Sequence, residues 1–465
     1  MGPRRCVRTL TAIAVALVLL AAWGLATPSA AADLPRNIII MLADGAAGTQ
    51  WDFGRYSSRV LRQQPFVTTD VVFGQGMVGL LATSPADAYV TDSAAAASAM
   101  STGSKVRNNA ISITPDGASP TTLMEAAKSA GKRIGLVTTA TVYDATPAGF
   151  ALHSKSRRDS QALVDQLLAL EPDVLMGGGA EYFLPATGGG KRTDNRDVIA
   201  AFKAKGYPVA RTPAELAAVS GPKLLALFSD DDLDFEIERD AAKEPTTAEM
   251  AGAALKTLAQ SPNGFVLLVE NENVDTAGHR NDAASLMRAL WAFDDAVKIA
   301  LEFQRQHPDT LLIVTGDHET GGFSPTYALK DPGAAASRFY TGDEHLRMLE
   351  RITMSLSGVI DKLGKPPSGE TLDKLLAQHF PGFLLDADLR QLVLSGKSDE
   401  RNFFYPAQNM LGRMIARQTG YYWGTSGHTP QPVVVGAIGP GAELFRGYQD
   451  NTDFARNLHQ LLREK

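Results

Sequence analysis

Cysteine is all but missing: Cys6 is the single one in 465 residues. That excludes a disulfide within the chain, so its stability must come from core size or bound metal. Runs of lysine and arginine are also missing, and the formal net charge is −6. Together these exclude nucleic-acid binding through a basic face. No segment repeats, and the apolar stretch from about Ala12 to Leu25 is shorter than the roughly 20 residues of a bilayer span. Arg4, Arg5 and Arg8 precede that stretch, and Pro28-Ser29-Ala30-Ala31-Ala32 follows it with cleavage-site chemistry. Residues 1–32 are therefore expected to be an export signal, with an uncleaved anchor as the alternative and Arg4-Arg5 leaving a twin-arginine route open. The mature chain is expected in a periplasm or outside the cell, with Cys6 removed and no stable membrane span.

What remains is ordinary for a globular enzyme, 44% hydrophobic and 21% charged. Apolar runs rich in Val, Ile and Leu recur at Asn37–Leu42, Arg133–Thr138, Asp173–Met176, Lys223–Phe228, Phe265–Glu270, Leu311–Thr315 and Pro432–Ile438. Helical patterns separate most of them, at Ala94–Met100, Thr121–Ala130, Ser160–Leu170, Thr246–Gln260 and Asp282–Gln306. The alternation predicts an α/β fold, a central and largely parallel sheet sandwiched between helices. It lapses between about 324 and 421 into a helix-rich stretch, read as an insertion into one catalytic domain spanning 33–465. Insertions ride on loops, so this one is expected to shape the mouth of a site. Gly177-Gly178-Gly179 is read as a tight turn in preference to a phosphate cradle.

The chemistry is concentrated directly behind these strands. Glu270, Asp275 and His279 follow one, Asp317 and His318 another, and Asp44-Gly45 a third. Open α/β sheets gather ligands at such strand ends. Imidazole with carboxylate suits Zn²⁺, and carboxylate without imidazole suits Mg²⁺, so more than one ion is expected. Asp92-Ser93 opens an alanine-rich helix, where backbone N–H groups favour an anion. Each member has a plainer reading by itself: a turn for Asp44-Gly45, an N-cap for Asp92-Ser93, a solvated helical turn for Asp275 and His279, a core histidine for His318.

Taken in order, Asp44-Gly45, Asp92-Ser93-Ala94, Asp144-Ala145-Thr146-Pro147, Arg157, Glu270 to His279, Asp317-His318 and Gly427-His428-Thr429 resemble the alkaline phosphatase family over the whole mature chain. The resemblance is poorest in the helix-rich insertion. It implies a phosphate monoester hydrolase with two zincs and one magnesium. Asp275, His279 and His428 would hold one zinc, and Asp44, Asp317 and His318 the other. Asp44 would also reach a magnesium completed by Thr146 and Glu270, with Asp144 favouring Mg²⁺ at that position. Ser93 would be the nucleophile, passing through a phosphoserine, and Arg157 would grip two phosphate oxygens. Family members often carry Lys or His directly after Asp275, where this chain has Thr276. The resemblance also makes a homodimer plausible.

Two rivals remain open at this point. A phosphodiesterase of the same superfamily could use the same metals and hydroxyl, although an arginine binding two free phosphoryl oxygens favours a monoester. A secreted phosphate- or metal-binding protein without turnover would need no Ser93. Substrate choice is expected to depend on the rim of the insertion, including Tyr421-Tyr422-Trp423, whose rings could equally be packing.

Overall fold

All seven apolar runs become strands of one ten-stranded sheet in the computed structural model, which describes residues 34–330, 337–398 and 400–463. In chain order the strands are β1 (Asn37–Ala43), β2 (Met77–Ala82), β3 (Arg133–Thr141), β4 (Val174–Gly178) and β5 (Val209–Ala210). They continue with β6 (Leu224–Leu227), β7 (Phe265–Asn271), β8 (Thr310–Thr315), β9 (Val433–Ile438) and β10 (Gly447–Asp450). The order across the sheet is β10-β2-β9-β8-β1-β7-β3-β4-β6-β5. The fold is α/β and the sheet is parallel except at β9, which runs antiparallel to both β8 and β2. The export signal expected at 1–32, with Cys6, lies outside the described residues; from Pro35 onward the chain forms one compact unit. No helix among the described residues is long and apolar enough to cross a membrane.

Burial on both faces explains why the central strands read as unbroken apolar runs. Every residue of β1, β7 and β8 is buried. Ile39, Met41, Leu267, Val269, Leu312 and Val314 share a core with the helices Thr247–Leu258 and Ala283–Gln306. The alternate residues Ile38, Ile40, Val266 and Leu268 face the opposite side and are equally inaccessible. Helices Leu123–Ser129 and Ala145–Ala151 contact β3 and β7. The triple glycine closes β4 as a turn: Gly179 has φ 92°, and a Cβ on Gly178 would lie 2.0 Å from the Asp231 carbonyl oxygen.

The stretch 324–421 leaves and returns at one place. Phe323–Pro325 pairs antiparallel with Tyr421–Trp423. Between them lie a short hairpin, Tyr327–Leu329 with Arg338–Tyr340, and helices Asp343–Glu350, Leu356–Lys362, Gly369–His379, Ala387–Ser395 and Pro406–Thr419. The Tyr421 ring is 1% exposed and packs on Phe53 and Phe323, while Trp423 lies 4.5 Å from Phe323. These rings therefore close the base of the insertion as packing.

Candidate active site

The carboxyl ends of β8, β1, β7 and β3, four neighbouring parallel strands, deliver most of the expected site residues to one place. Asp317 and His318 follow β8, Asp44 follows β1, and Glu270 sits within the end of β7. Asp275 and His279 stand one turn apart on the helix Asn273–Arg280 behind β7, and Thr146 on the helix Ala145–Ala151 behind β3. His428 precedes its strand instead of following it. Because β9 is antiparallel, its entry end lies beside the exit ends of the others, which is how His428 reaches the same site.

Two groups of ligand-type atoms converge. In the first, His279 Nε2 lies 3.0 Å from Asp275 Oδ2, and His428 Nε2 lies 3.2 Å from His279 Nε2 and 3.5 Å from Asp275 Oδ1. Both imidazoles are turned by carbonyls behind them: His279 Nδ1–H donates to Ser426 O at 2.6 Å and His428 Nδ1–H to Thr91 O at 2.8 Å. With both rings neutral, the two Nε2 atoms thus present lone pairs to one another across 3.2 Å, an arrangement that a proton or a metal ion relieves.

In the second group, His318 Nε2 lies 3.3 Å from Asp44 Oδ1, 3.3 Å from Asp317 Oδ2 and 3.0 Å from Ser93 Oγ. Thr320 sets that ring: its hydroxyl donates to Asp275 Oδ1 and lies 3.2 Å from His318 Nδ1, leaving Nε2 toward Ser93. Burial, then the neighbouring His428, keeps the His318 pKa well below that of an ordinary histidine, so the ring is neutral and fit to ligate. Asp275 links the groups, and although burial raises its pKa, the neighbouring imidazoles, His279 foremost, hold it well below the usual carboxylate range.

A third set is all oxygen. Thr146 Oγ1 donates to Asp44 Oδ2 at 3.3 Å, and Thr138 Oγ1 donates to Glu270 Oε2 at 2.5 Å. Asp144 stays at the rim, where both its oxygens accept from Arg157 Nη2 at 3.3 and 3.4 Å. Arg157 also faces Asp92 at 3.6 Å, and Asp92 caps the helix Ser93–Thr102 by accepting from Ala95 N. Ser93 is the first residue of that helix and is 4% exposed. Thr91, Arg157, Asp144, His279 and His428 line one cleft of about 770 Å³. Thr276 turns away from this chemistry and donates to Glu272 Oε1 at 2.5 Å.

The donor sets fit metal ions. Asp44 Oδ1, Asp317 Oδ2 and Glu270 Oε1 are buried with no hydrogen-bond partner, an arrangement costly for acids unless a cation meets them. Burial first, then mutual repulsion, pushes Asp317 up to about 7, and burial with the charge of Asp144 pushes Glu270 up to about 8 against the hydrogen bond from Thr138. In the metal-stripped protein these carboxyls keep protons that the unfolded chain releases at about pH 4. The stability these two groups contribute is then fully present below about pH 4 and is lost as pH rises through the window up to 7–8. Thermal unfolding of chelated protein should therefore show a lower Tm at about pH 9 than at about pH 5, a gap that restored metal closes.

Glu319, directly after Asp317-His318 in the sequence, shows its role only in three dimensions. Its oxygens accept from Gln50 Nε2, Thr429 Oγ1 and the Gly322 and Phe323 N–H groups. The two-residue ladder pairing Glu319–Thr320 with Thr429–His428 is tied together at this carboxylate, which fixes His428 against Thr320.

Residues 35–463 match the family model for alkaline phosphatase. The chain belongs to the alkaline phosphatase family. It is 32% identical over 439 residues to alkaline phosphatase 3 of Bacillus subtilis (strain 168), covering 92% of this chain and 89% of that protein. To the repressible alkaline phosphatase of Saccharomyces cerevisiae it is 31% identical over 503 residues, covering 98% and 87%. Its fold superposes on the crystal structure of Thermus thermophilus alkaline phosphatase with a TM-score of 0.84 at 30% identity, covering 94% of each chain. As an alkaline phosphatase, this chain is a phosphate monoester hydrolase of a metal-dependent family, and the Asp/His groups above are its candidate metal-binding sites.

Proposed function

We propose that this alkaline phosphatase works through a phosphoserine on Ser93, with two zincs and one magnesium in the three donor sets. The observation that carries the reading is the Ser93 hydroxyl, 3.0 Å from His318 Nε2 and next in sequence to Asp92, which lines the cleft together with Arg157, His279 and His428. Asp275, His279 and His428 would hold one zinc, and Asp44, Asp317 and His318 the second, as imidazole mixed with carboxylate suits that ion. Asp44, Thr146 and Glu270 would hold magnesium, an all-oxygen set, with Asp144 acting from the rim. When bound, such ions neutralise phosphoryl oxygens and lower the pKa of a nearby hydroxyl or water.

In the first displacement the Ser93 Oγ–P bond forms as the ester P–O bond breaks, releasing the alcohol and leaving phosphoserine. In the second, water breaks the Oγ–P bond and frees inorganic phosphate and the serine. Asp92 and Asp144 hold the Arg157 fork only loosely, at 3.3–3.6 Å, so its planar donors remain able to take two non-bridging oxygens of a monoester. A diester has one of those oxygens blocked. Arg157→Ala is expected to lower kcat/KM for an aryl phosphate monoester by about 10²-fold, with Arg157→Lys recovering only part. The corresponding diester should change far less; a diester that fell as steeply would favour the phosphodiesterase reading. Membership of the family also supports an export signal over 1–32, one catalytic domain over 33–465 and a homodimer.

A further inference from the structure

Phe404 is an aromatic ring held half in solvent by structure built for the purpose. It is 54% exposed, yet its loop is fastened to the segment that orients His279. Phe404 N–H donates to Ser426 Oγ at 2.9 Å, Ser426 N–H to Asn402 O at 2.9 Å, and Asn402 Nδ2 to Gly424 O at 2.8 Å. The Ser426 carbonyl in turn accepts from His279 Nδ1. The ring lies 6.0 Å from the His279 ring and 5.1 Å from Tyr405, over which the Arg280 guanidinium sits at 3.6 Å. Below it Gly427 leaves space that a Cβ would fill, 3.5 Å from the Phe404 edge. A single exposed phenylalanine is unremarkable on a surface, but this one lines the cleft and its backbone is fixed by a hydrogen bond to Ser426.

Geometry gives the ring a substrate. Ser93 touches His318, while His279 meets the other carboxylate oxygen of Asp275 and His428, stacked on His318, reaches across to it with Nε2 3.2 Å from His279 Nε2. Attacking and leaving oxygens lie roughly in line at phosphorus, so with Ser93 attacking, the alcohol departs toward His279 and His428. The wall it meets there is Phe404.

We propose that Phe404 is the stacking face for the alcohol half of the substrate, and that it biases the enzyme toward phosphate monoesters whose alcohol carries a flat aromatic ring. Aryl phosphates and nucleoside monophosphates share that chemistry. The inference rests on the phosphoserine reading for its direction of departure, and is tested by binding so that it stands apart from turnover. The metal-loaded Ser93→Ala protein is titrated calorimetrically with 4-nitrophenyl phosphate, a nucleoside 5′-monophosphate and glycerol phosphate, with and without Phe404→Ala. Removing the ring should weaken one or both aromatic esters about fivefold to tenfold relative to glycerol phosphate. Phe404→Trp should restore them. Which aromatic ester responds tells whether the stacked ring sits on the ester oxygen or beyond a sugar. Equal weakening of all three esters, or none, overturns the proposal. In the Ser93 enzyme, without the serine variant, Phe404→Ala should lower the ratio of kcat/KM for aromatic over glycerol esters; an unchanged ratio overturns the proposal as well. Turnover of glycerol phosphate by the unsubstituted enzyme tests the catalytic reading by itself.

Discussion

Ser93→Ala is expected to lower kcat/KM for a phosphate monoester by about 10³- to 10⁵-fold while leaving bound metal unchanged. The hydroxyl is the only part removed. It sits at the start of a helix whose cap belongs to Asp92, so the fold should not notice its loss. The residual rate would come from water attacking a phosphate still held by Arg157 and the metal sites, as residual activity does where binding and charge stabilisation survive loss of a nucleophile. Acid-quenched protein labelled with a phosphorus isotope should carry label on Ser93 in the unsubstituted enzyme and none in the variant. Retained activity with undiminished labelling would place the nucleophile elsewhere.

Asp275→Ala should be more damaging to the metal content than any other single change. Its two oxygens face different partners: Oδ2 meets His279 at 3.0 Å, and Oδ1 meets His428 at 3.5 Å and His318 at 4.0 Å. Removing it takes a ligand from one of the proposed zinc sets and a neighbouring charge from the other. It also strips the acceptor from Thr320, whose hydroxyl orients the His318 ring. Bound zinc measured by elemental analysis after dialysis should fall well below that of the unsubstituted protein. Activity should drop by about 10³-fold or more and recover little when zinc is added back. The metal-free variant should also be less stable than the metal-free parent near neutral pH, because His279 holds Asp275 well below the usual carboxylate range and its ionised form therefore contributes stability above about pH 4. A variant that kept its zinc would break the assignment of two zinc sets.

The central strands were legible because burial on both faces writes the simplest pattern a sequence can carry. Asn37–Ala43 reads NIIIMLA with every position buried, and the acids that follow such runs could be assigned to strand ends without further information. The strands not anticipated lie toward the edges and lack that pattern. Met77–Ala82 leaves Met77, Val78 and Leu80 partly in solvent, Val209–Ala210 is two residues long, and Gly447–Asp450 is polar. His428 could be named from motif order, but its reach depends on one antiparallel strand, which periodicity does not reveal. Thr320 acts through hydrogen bonds that close only after folding, so no spacing rule singled it out, and Glu319, though it follows Asp317-His318 directly, shows its hydrogen-bonding role only in three dimensions. The rim was the least legible part: Tyr421 and Trp423 turned out to pack inward, and the aromatic rings that line the cleft are Phe404 and Tyr182.

The most direct test of the metal-dependent monoesterase is hydrolysis of a chromogenic aryl phosphate monoester beside its diester at alkaline pH, by the protein as purified, after chelation, and with zinc and magnesium restored. Strong preference for the monoester is expected, with loss of turnover in chelator and recovery only when the metals return. Preference for the diester, or monoester turnover that chelation leaves intact, would contradict it.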